Sequence, residues 1–459
     1  MNPRTLEPSN PSSSGPLAFG EPSITVGIVD RRAEVSGRMD GRFTECGAER
    51  FSGAFSARAE EWNIVLADET RREITRAPFI RLTADPGSTF TLFNVTIGDR
   101  FHWERSEEQT FCGNLILKAR ADGTITAINE ILLEEYLKSV ISSEMSAAAP
   151  AEFLKAHAIM SRSWLMAALE RKKNSEGGPL PAASRESEGE VARWYDREEH
   201  DLFDVCADDH CQRYQGITKI SSEQAEQAGL QTRGLVMTYQ QRICDTRYSK
   251  ACGGLTENFE TAWDDKGVPY LKSVSDAAVT HAPVSNEADA LRWITSAPEA
   301  FCHTEDKALL ERILPDFDRE TTRFFRWRID YSREELEEIV RTKSGHDFGT
   351  LREILPLRRG PSGRISRLRI TGSKRSMIVG KELEIRRWLS PTHLYSSAFI
   401  VTPERGADGE VETFTLQGAG WGHGVGLCQI GAAVMAAQGF KADEILKHYF
   451  RGVELQKVY

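Results

Sequence analysis

Apolar and polar residues alternate with a period of two through the first part of the chain. Ile24-Thr25-Val26-Gly27-Ile28-Val29 is one such run, and Phe90-Thr91-Leu92-Phe93-Asn94-Val95 is another, preceded by the turn residues Asp85, Pro86 and Gly87. This patterning, broken by Gly, Asp and Pro, predicts short strands from about Pro22 to Thr126. The period then lengthens. Two helices are predicted, over Ile131 to Met145 and over Pro150 to Lys172, the second with a proline in its first turn, where the missing N–H costs nothing. Between Asn174 and Glu190, Gly, Pro, Ser and Glu predominate, which predicts a surface loop. Residues 191–276 read as irregular structure with short strands, and Glu287 to Ser344 as charged and largely helical. Strands return at Ser366 to Ile370 and Glu412 to Leu416. A Gly-rich loop and two helices, near Leu427 to Ala437 and Ala442 to Phe450, close the chain.

The fold class expected from this order is α+β, with strand-rich lobes around a central helical segment and a helical insertion in the C-terminal half. Five regions follow: a leader over 1–21, a β-rich lobe over 22–126, helices and a Cys/His-containing stretch over 127–276, a helical elaboration over 277–355, and strands with the Gly-rich loop over 356–459.

Length and composition narrow the function classes. At 459 residues the chain exceeds a single compact core. A formal net charge of −10 argues against a nucleic-acid partner, since phosphate contacts need clustered Lys and Arg. No transmembrane segment is expected, because the richest apolar stretch, Phe153 to Leu169, carries Lys155, His157 and Arg162. The Pro/Ser-rich leader lacks the apolar core of a signal peptide. Eight cysteines in a chain of this size do not make a disulfide scaffold. Two near pairs stand out, Cys206 with Cys211 and Cys244 with Cys252.

Within ILLEEYLKSVISSEMS, Tyr136, Val140 and Glu144 recur at a spacing of four and so share one helix face, flanked by Leu133 and Leu137. Glu144 falls on this apolar face near the helix C-terminus. Desolvation and the helix dipole both disfavour its ionisation, as a general acid for glycosidic cleavage requires. The plain alternative is a solvated glutamate at a fraying helix end. Glu134 and Glu135 read as a polar face.

Residues 417–429 place five glycines around Trp421 and His423. Such density is costly in chain entropy unless the backbone needs positive φ or close approach. The loop is not of phosphate-binding type, lacking the GK[ST] ending. Trp421 can stack on a sugar ring and His423 can orient an acid; the alternative is a tight structural turn. Farther upstream, His200, Cys206, His210 and Cys211 set two thiols and two imidazoles within twelve residues. Tetrahedral zinc takes such donors, with His200, Cys206 and Cys211 preferred and His210 as a fourth. A Cys206–Cys211 disulfide or free thiols remain as alternatives. A zinc held by four protein donors is structural, leaving no position for water.

Three segments in order resemble the SpoIID/LytB family of stage II sporulation protein D-like lytic transglycosylases and amidase enhancers. They are Glu135 to Met145 with the helix Leu154 to Ser163, then Tyr248-Ser249-Lys250-Ala251-Cys252-Gly253-Gly254-Leu255-Thr256-Glu257 leading to Trp263, and last Trp421-Gly422-His423-Gly424-Val425-Gly426 with its trailing helix. Ser146, Lys250 and Ile430 depart from the pattern. The resemblance implies a peptidoglycan lytic transglycosylase that cleaves between N-acetylmuramic acid and N-acetylglucosamine and leaves 1,6-anhydro ends. Glu144 takes the catalytic position, and Tyr136, Arg162, Ser249, Trp421 and His423 are expected to bind substrate. Zinc at the Cys/His cluster and a location in the periplasm or cell envelope follow from the same likeness. The family's amidase-enhancer members imply an alternative, a non-catalytic wall-binding protein that stimulates a cell-wall amidase.

Overall fold

The computed structural model describes residues 20–45, 50–98, 104–175, 184–194, 200–219, 222–319 and 323–459. The predicted leader lies outside the described residues except for Gly20 and Glu21, and so does the 176–183 part of the predicted surface loop. Among the described residues the architecture is α+β, with helices set against several separate sheets.

The N-terminal alternation becomes a large, mostly antiparallel sheet. Strand Thr89–Ile97 shows how its core face is set. Phe90 and Leu92 point inward, and simple alternation would bring Asn94 in next. Asn94 instead adopts φ 56°, and a register shift between Leu92 and Val95 rephases the strand so that Val95 and Ile97 are buried. Asparagine tolerates this left-handed backbone better than a branched residue would.

The sheet positions the first helix. Strand Ser23–Arg32 pairs antiparallel with Ile125–Leu132, which runs directly into helix α1 (Leu133–Ser143). Leu133, Tyr136, Leu137, Val140 and Ile141 of α1 are buried, as the helical spacing requires. The helix starts two residues later than predicted and ends immediately before Glu144. Helix α2 (Ala151–Ser175) follows, with Pro150 just outside it, its carbonyl accepting the Leu154 N–H at 3.0 Å. α2 sends Leu165 and Met166 to the core under the large sheet, and Phe153, Ala156 and Ile159 to a second core built with the C-terminal helices.

Two pairings bring distant segments beside these helices. Val205–Cys206 adds in parallel to Val26–Gly27, so the Cys/His stretch is strapped to the first strand. Gly27 is needed there, because a Cβ would lie 2.5 Å from the ring of Phe203. Tyr248–Ser249 pairs in parallel with Leu427–Cys428, and bridges join Ala251 to Trp421 and Glu257 to Val425. The 277–355 region holds helices Glu287–Thr295, Lys307–Ile313 and Arg333–Ser344, and also strand Arg326–Ser332, which pairs with Val411–Ala419. Among the described residues no helix is long and apolar enough to cross a membrane.

Candidate functional site

Glu144 caps the C-terminal end of α1, its own N–H still bonded to the Val140 carbonyl at 2.9 Å. It is 8 % exposed and lines a cavity of about 610 Å³. Its Oε1 accepts two hydrogen bonds, from the Arg213 backbone N–H at 2.9 Å and the Tyr248 hydroxyl at 2.8 Å. Burial pushes the carboxyl pKa up, and the carboxylate of Asp209 adds to this. Arg213, through its charge and its N–H, and the Tyr248 hydroxyl oppose the rise without reversing it.

Two other carboxylates reach the same cavity, and each has a cation. Asp209 takes the Arg213 guanidinium at 2.5 and 3.1 Å, and Asp318 takes Lys250 Nζ at 2.7 Å. Lys250, which departs from the small residues of the family pattern, also donates to the Glu144 carbonyl at 3.2 Å. Among the described residues, Glu144 is therefore the acid of this cavity whose own carboxyl oxygens meet no cationic side chain in ion-pair range. Behind Tyr248 stands His157, with ring centroids 5.1 Å apart. Burial and the charge of Lys250 bring His157 down to about 3, so it stays neutral.

The Gly-rich loop forms the facing wall. Gly420, Gly422, Gly424 and Gly426 have φ of 76°, 90°, 73° and 75°, a left-handed residue at every second position. A Cβ on Gly424 would sit 2.3 Å from the Arg364 guanidinium carbon, and one on Gly426 would sit 2.1 Å from the Arg247 carbonyl oxygen. Arg364, fully buried, donates to the carbonyls of Gly422 and Cys252 at 3.0 and 3.1 Å. The loop thus owes its glycines to both φ and close packing. His423 Nδ1 accepts the Val425 N–H at 3.0 Å, and its ring lies 4.7 Å from that of Trp263. Burial, then the charges of Arg247, Arg364 and Arg386, keep the imidazole well below its usual pKa and hence neutral. At the start of the following helix, Gln429–Ala437, the Ile430 N–H donates to the Lys250 carbonyl at 3.1 Å.

Of the residues expected to bind substrate, Ser249, Trp421 and His423 line the cavity with Glu144. Ser249 Oγ accepts the Gly424 N–H at 3.2 Å. Trp421 already stacks one face on Tyr395, at 4.2 Å between centroids and 26° between planes. Tyr136 and Arg162 do not belong to the cavity, which corrects the expectation for both. Tyr136 is fully buried in the core against Tyr214. Arg162 is fully buried as well, paired with Glu134 at 2.9 and 2.7 Å, with the Leu235 carbonyl at 2.9 Å. Glu134 is accordingly a buried partner and not part of a solvated face: a charge can enter this core only with its counter-ion. Tyr248 and Lys250 stand in a segment that the sequence singled out but without a role at the site, and Arg213 and Tyr395 carried no signal at all. Tyr248 is adjacent to Ser249, yet adjacency does not say which of two strand neighbours faces an acid.

His200, Cys206, His210 and Cys211 converge as predicted by their nearness in sequence. Their donor atoms all lie within 4.8 Å of one another and could hold a metal ion. His200 Nε2 is 3.3 Å from Cys211 Sγ, and His210 Nδ1 is 3.4 and 3.9 Å from Cys211 Sγ and Cys206 Sγ. Both thiols are free, and Cys211 and His210 also border the cavity. Hydrogen bonds from Cys211, His200 and His210 draw the Cys206 thiol well below its usual range. Cys244 and Cys252, near each other in sequence, are both free thiols, and Cys252 meets Cys302 and Cys428.

Comparison with known proteins returns the family of the resemblance over the first of the three segments. Residues 121–239, which contain Glu144, match the family model described as stage II sporulation protein, and residues 257–426 match a domain of unknown function, DUF8618. The chain is 25 % identical over 333 residues to stage II sporulation protein D of Bacillus amyloliquefaciens, covering 72 % of this chain and 76 % of that one. It is 24 % identical over 331 residues to the protein of the same name from Bacillus subtilis (strain 168), with the same two coverages of 72 % and 76 %. An uncharacterized protein of Brachyspira hyodysenteriae is 26 % identical over 333 residues, 72 % of this chain and 68 % of its own. The chain thus matches the stage II sporulation protein family over residues 121–239, with Glu144 and Arg213 inside that stretch and Tyr248 just beyond it.

Proposed function

We propose that the protein is a peptidoglycan lytic transglycosylase of the cell envelope, with Glu144 as its general acid and base. The observation that carries this reading is the carboxyl group of Glu144, buried yet opening on a cavity walled by aromatic and cationic side chains. With Oε1 occupied by the Arg213 N–H and the Tyr248 hydroxyl, the proton resides on Oε2. The acid gives that proton to the oxygen between N-acetylmuramic acid and N-acetylglucosamine. The carboxylate left behind takes the proton of the muramic acid C6 hydroxyl, whose oxygen closes the 1,6-anhydro ring. No activated water is required. The other two carboxylates at the cavity, Asp209 and Asp318, are engaged by Arg213 and Lys250 and not free to position a water for an inverting hydrolysis.

His200, Cys206, His210 and Cys211 suit a structural zinc, with two thiolates and two imidazoles at tetrahedral-edge separations. Such an ion would fix the stretch that delivers Asp209 and Arg213 to Glu144. The reaction is tested by incubating the purified chain with glycan strands and analysing the ends by mass spectrometry. Anhydro-ended fragments are expected. Intact strands, or fragments with ordinary reducing ends, would refute the assignment.

A further inference from the structure

Away from the Cys/His cluster, four more donors meet in the core. Cys252, Asp276, Cys302 and Cys428 come from four separate stretches of chain, and their ligand atoms all lie within 4.8 Å of one another. None is more than 3 % exposed. We propose that these four residues bind a single zinc ion as a closed structural centre.

The spacing fits one tetrahedral ion. Zinc–sulfur bonds of ~2.3 Å place two thiolates about 3.8 Å apart across a tetrahedral edge. Cys252 Sγ and Cys302 Sγ are 3.8 Å apart. A disulfide would need about 2.05 Å, and an iron–sulfur cluster spreads its ligands over more than one iron, whereas all four donor atoms here lie within 4.8 Å of one another.

The carboxyl of Asp276 is the fourth donor. It is fully buried, and among the described residues its oxygens meet a hydroxyl and a backbone N–H but no Lys, Arg or His nitrogen in ion-pair range. A buried carboxyl is ionised only beside a counter-charge, and a coordinated metal ion would take the place of its proton and supply that charge.

The surroundings are those of ligands held by an outer ring of hydrogen bonds. The Cys252 N–H points at Cys428 Sγ and the Gly254 N–H at Cys252 Sγ, both at 3.3 Å. Asp276 is aimed by the Tyr449 hydroxyl at 2.5 Å on Oδ1 and by the Cys302 N–H at 2.9 Å on Oδ2. Backbone N–H groups spent on sulfur are well used only when the sulfur is an electron-rich thiolate, and such contacts orient ligands in metal sites. Gly431 makes the room, since a Cβ there would lie 2.2 Å from Asp276 Oδ1. Thiolate-rich donors favour zinc over magnesium or calcium, and four protein ligands leave no open position for water.

The position explains what such an ion would do. Cys252 follows Lys250 by two residues, and Cys428 precedes Gln429, so two of the ligands sit directly behind the cavity wall. Asp276 and Cys302 come from within the segment 257–426, whereas Cys252 and Cys428 flank it. The ion therefore pins that segment to the two strands carrying Tyr248 and the Gly-rich loop. The centre does not depend on the glycan-cleaving reading.

Metal analysis of the full chain, reduced and reconstituted with zinc and then freed of excess, tests the proposal. Wild type is expected to hold two zinc ions per chain, Cys206→Ser/Cys211→Ser one, and Cys302→Ser one. Cobalt loaded into Cys206→Ser/Cys211→Ser should show thiolate-to-cobalt charge-transfer absorption that Cys302→Ser, added to it, removes. If Cys302→Ser does not fold, the count in the other two proteins decides. Loss of all zinc and of the cobalt signal from Cys206→Ser/Cys211→Ser would overturn the proposal.

Discussion

The hydroxyl of Tyr248 donates to Glu144 Oε1 at 2.8 Å across 104 positions of sequence. The bond stabilises the charged form of the acid, in opposition to burial. Tyr248 is held in place by strand pairing with Leu427 and by the neutral ring of His157 behind it.

Replacing Tyr248 by Phe removes the donor and keeps the ring. Glu144 then holds its proton to higher pH, so the alkaline limb of the pH–rate profile for glycan cleavage should move upward. A purely structural role for Tyr248 would lower the rate without displacing the limb, so the profile separates the two.

Glu144→Gln should reduce cleavage by about 10²-fold or more, the usual range for a lost general acid. The fold should survive, because the amide oxygen can still accept from Arg213 and Tyr248. Folding raises the Glu144 pKa above its usual 4.5, so the folded chain binds this proton more tightly than the unfolded one. That stabilisation is complete below about 4.5 and is lost as pH rises through the folded value. Thermal melts should therefore show the variant gaining on wild type as pH increases across that window. If the variant still stimulated an amidase at full strength and wild type cleaved nothing, the non-catalytic alternative would be the correct one.

Arg162 is predicted to matter for stability and not for chemistry. Arg162→Ala leaves Glu134 buried without its cation and should cost ~3–5 kcal/mol in denaturant unfolding. Adding Glu134→Gln should recover part of the loss, because the uncompensated charge is then gone. Tyr136→Phe should be nearly neutral, since its hydroxyl makes only a long 3.3 Å contact with Gln212.

Gly424→Ala combines a left-handed φ of 73° with a Cβ 2.3 Å from the Arg364 guanidinium. The backbone conformation alone costs ~1–3 kcal/mol for a residue other than glycine. Lower melting temperature together with reduced cleavage is expected, because Arg364 ties this loop to the Cys252 segment. Gly409→Ala, on an exposed turn with φ of 81° and nothing near its Cβ, serves as the comparison for backbone strain without packing.

Much of the site was legible in the order of residues along the chain. The four-residue spacing of Tyr136, Val140 and Glu144 placed an acid on the buried face of α1, because helical periodicity is a local property. The same spacing could not say that Tyr136 turns into the core while Glu144 opens on a cavity; that depends on which distant segments pack against each. The glycines at 420, 422, 424 and 426 announced an unusual backbone, and the twelve-residue span from His200 to Cys211 announced convergent donors, since short segments bring their own side chains together. Tertiary structure alone decided the rest. Arg162 reached Glu134 over 28 positions, Tyr248 reached Glu144, and Cys252 found Cys302 and Cys428 instead of its sequence neighbour Cys244. These contacts are fixed by strand register and by the packing of α2 between two cores. A buried charge or thiol takes the partner that packing delivers, and nothing in the spacing of residues along the chain records which one that will be.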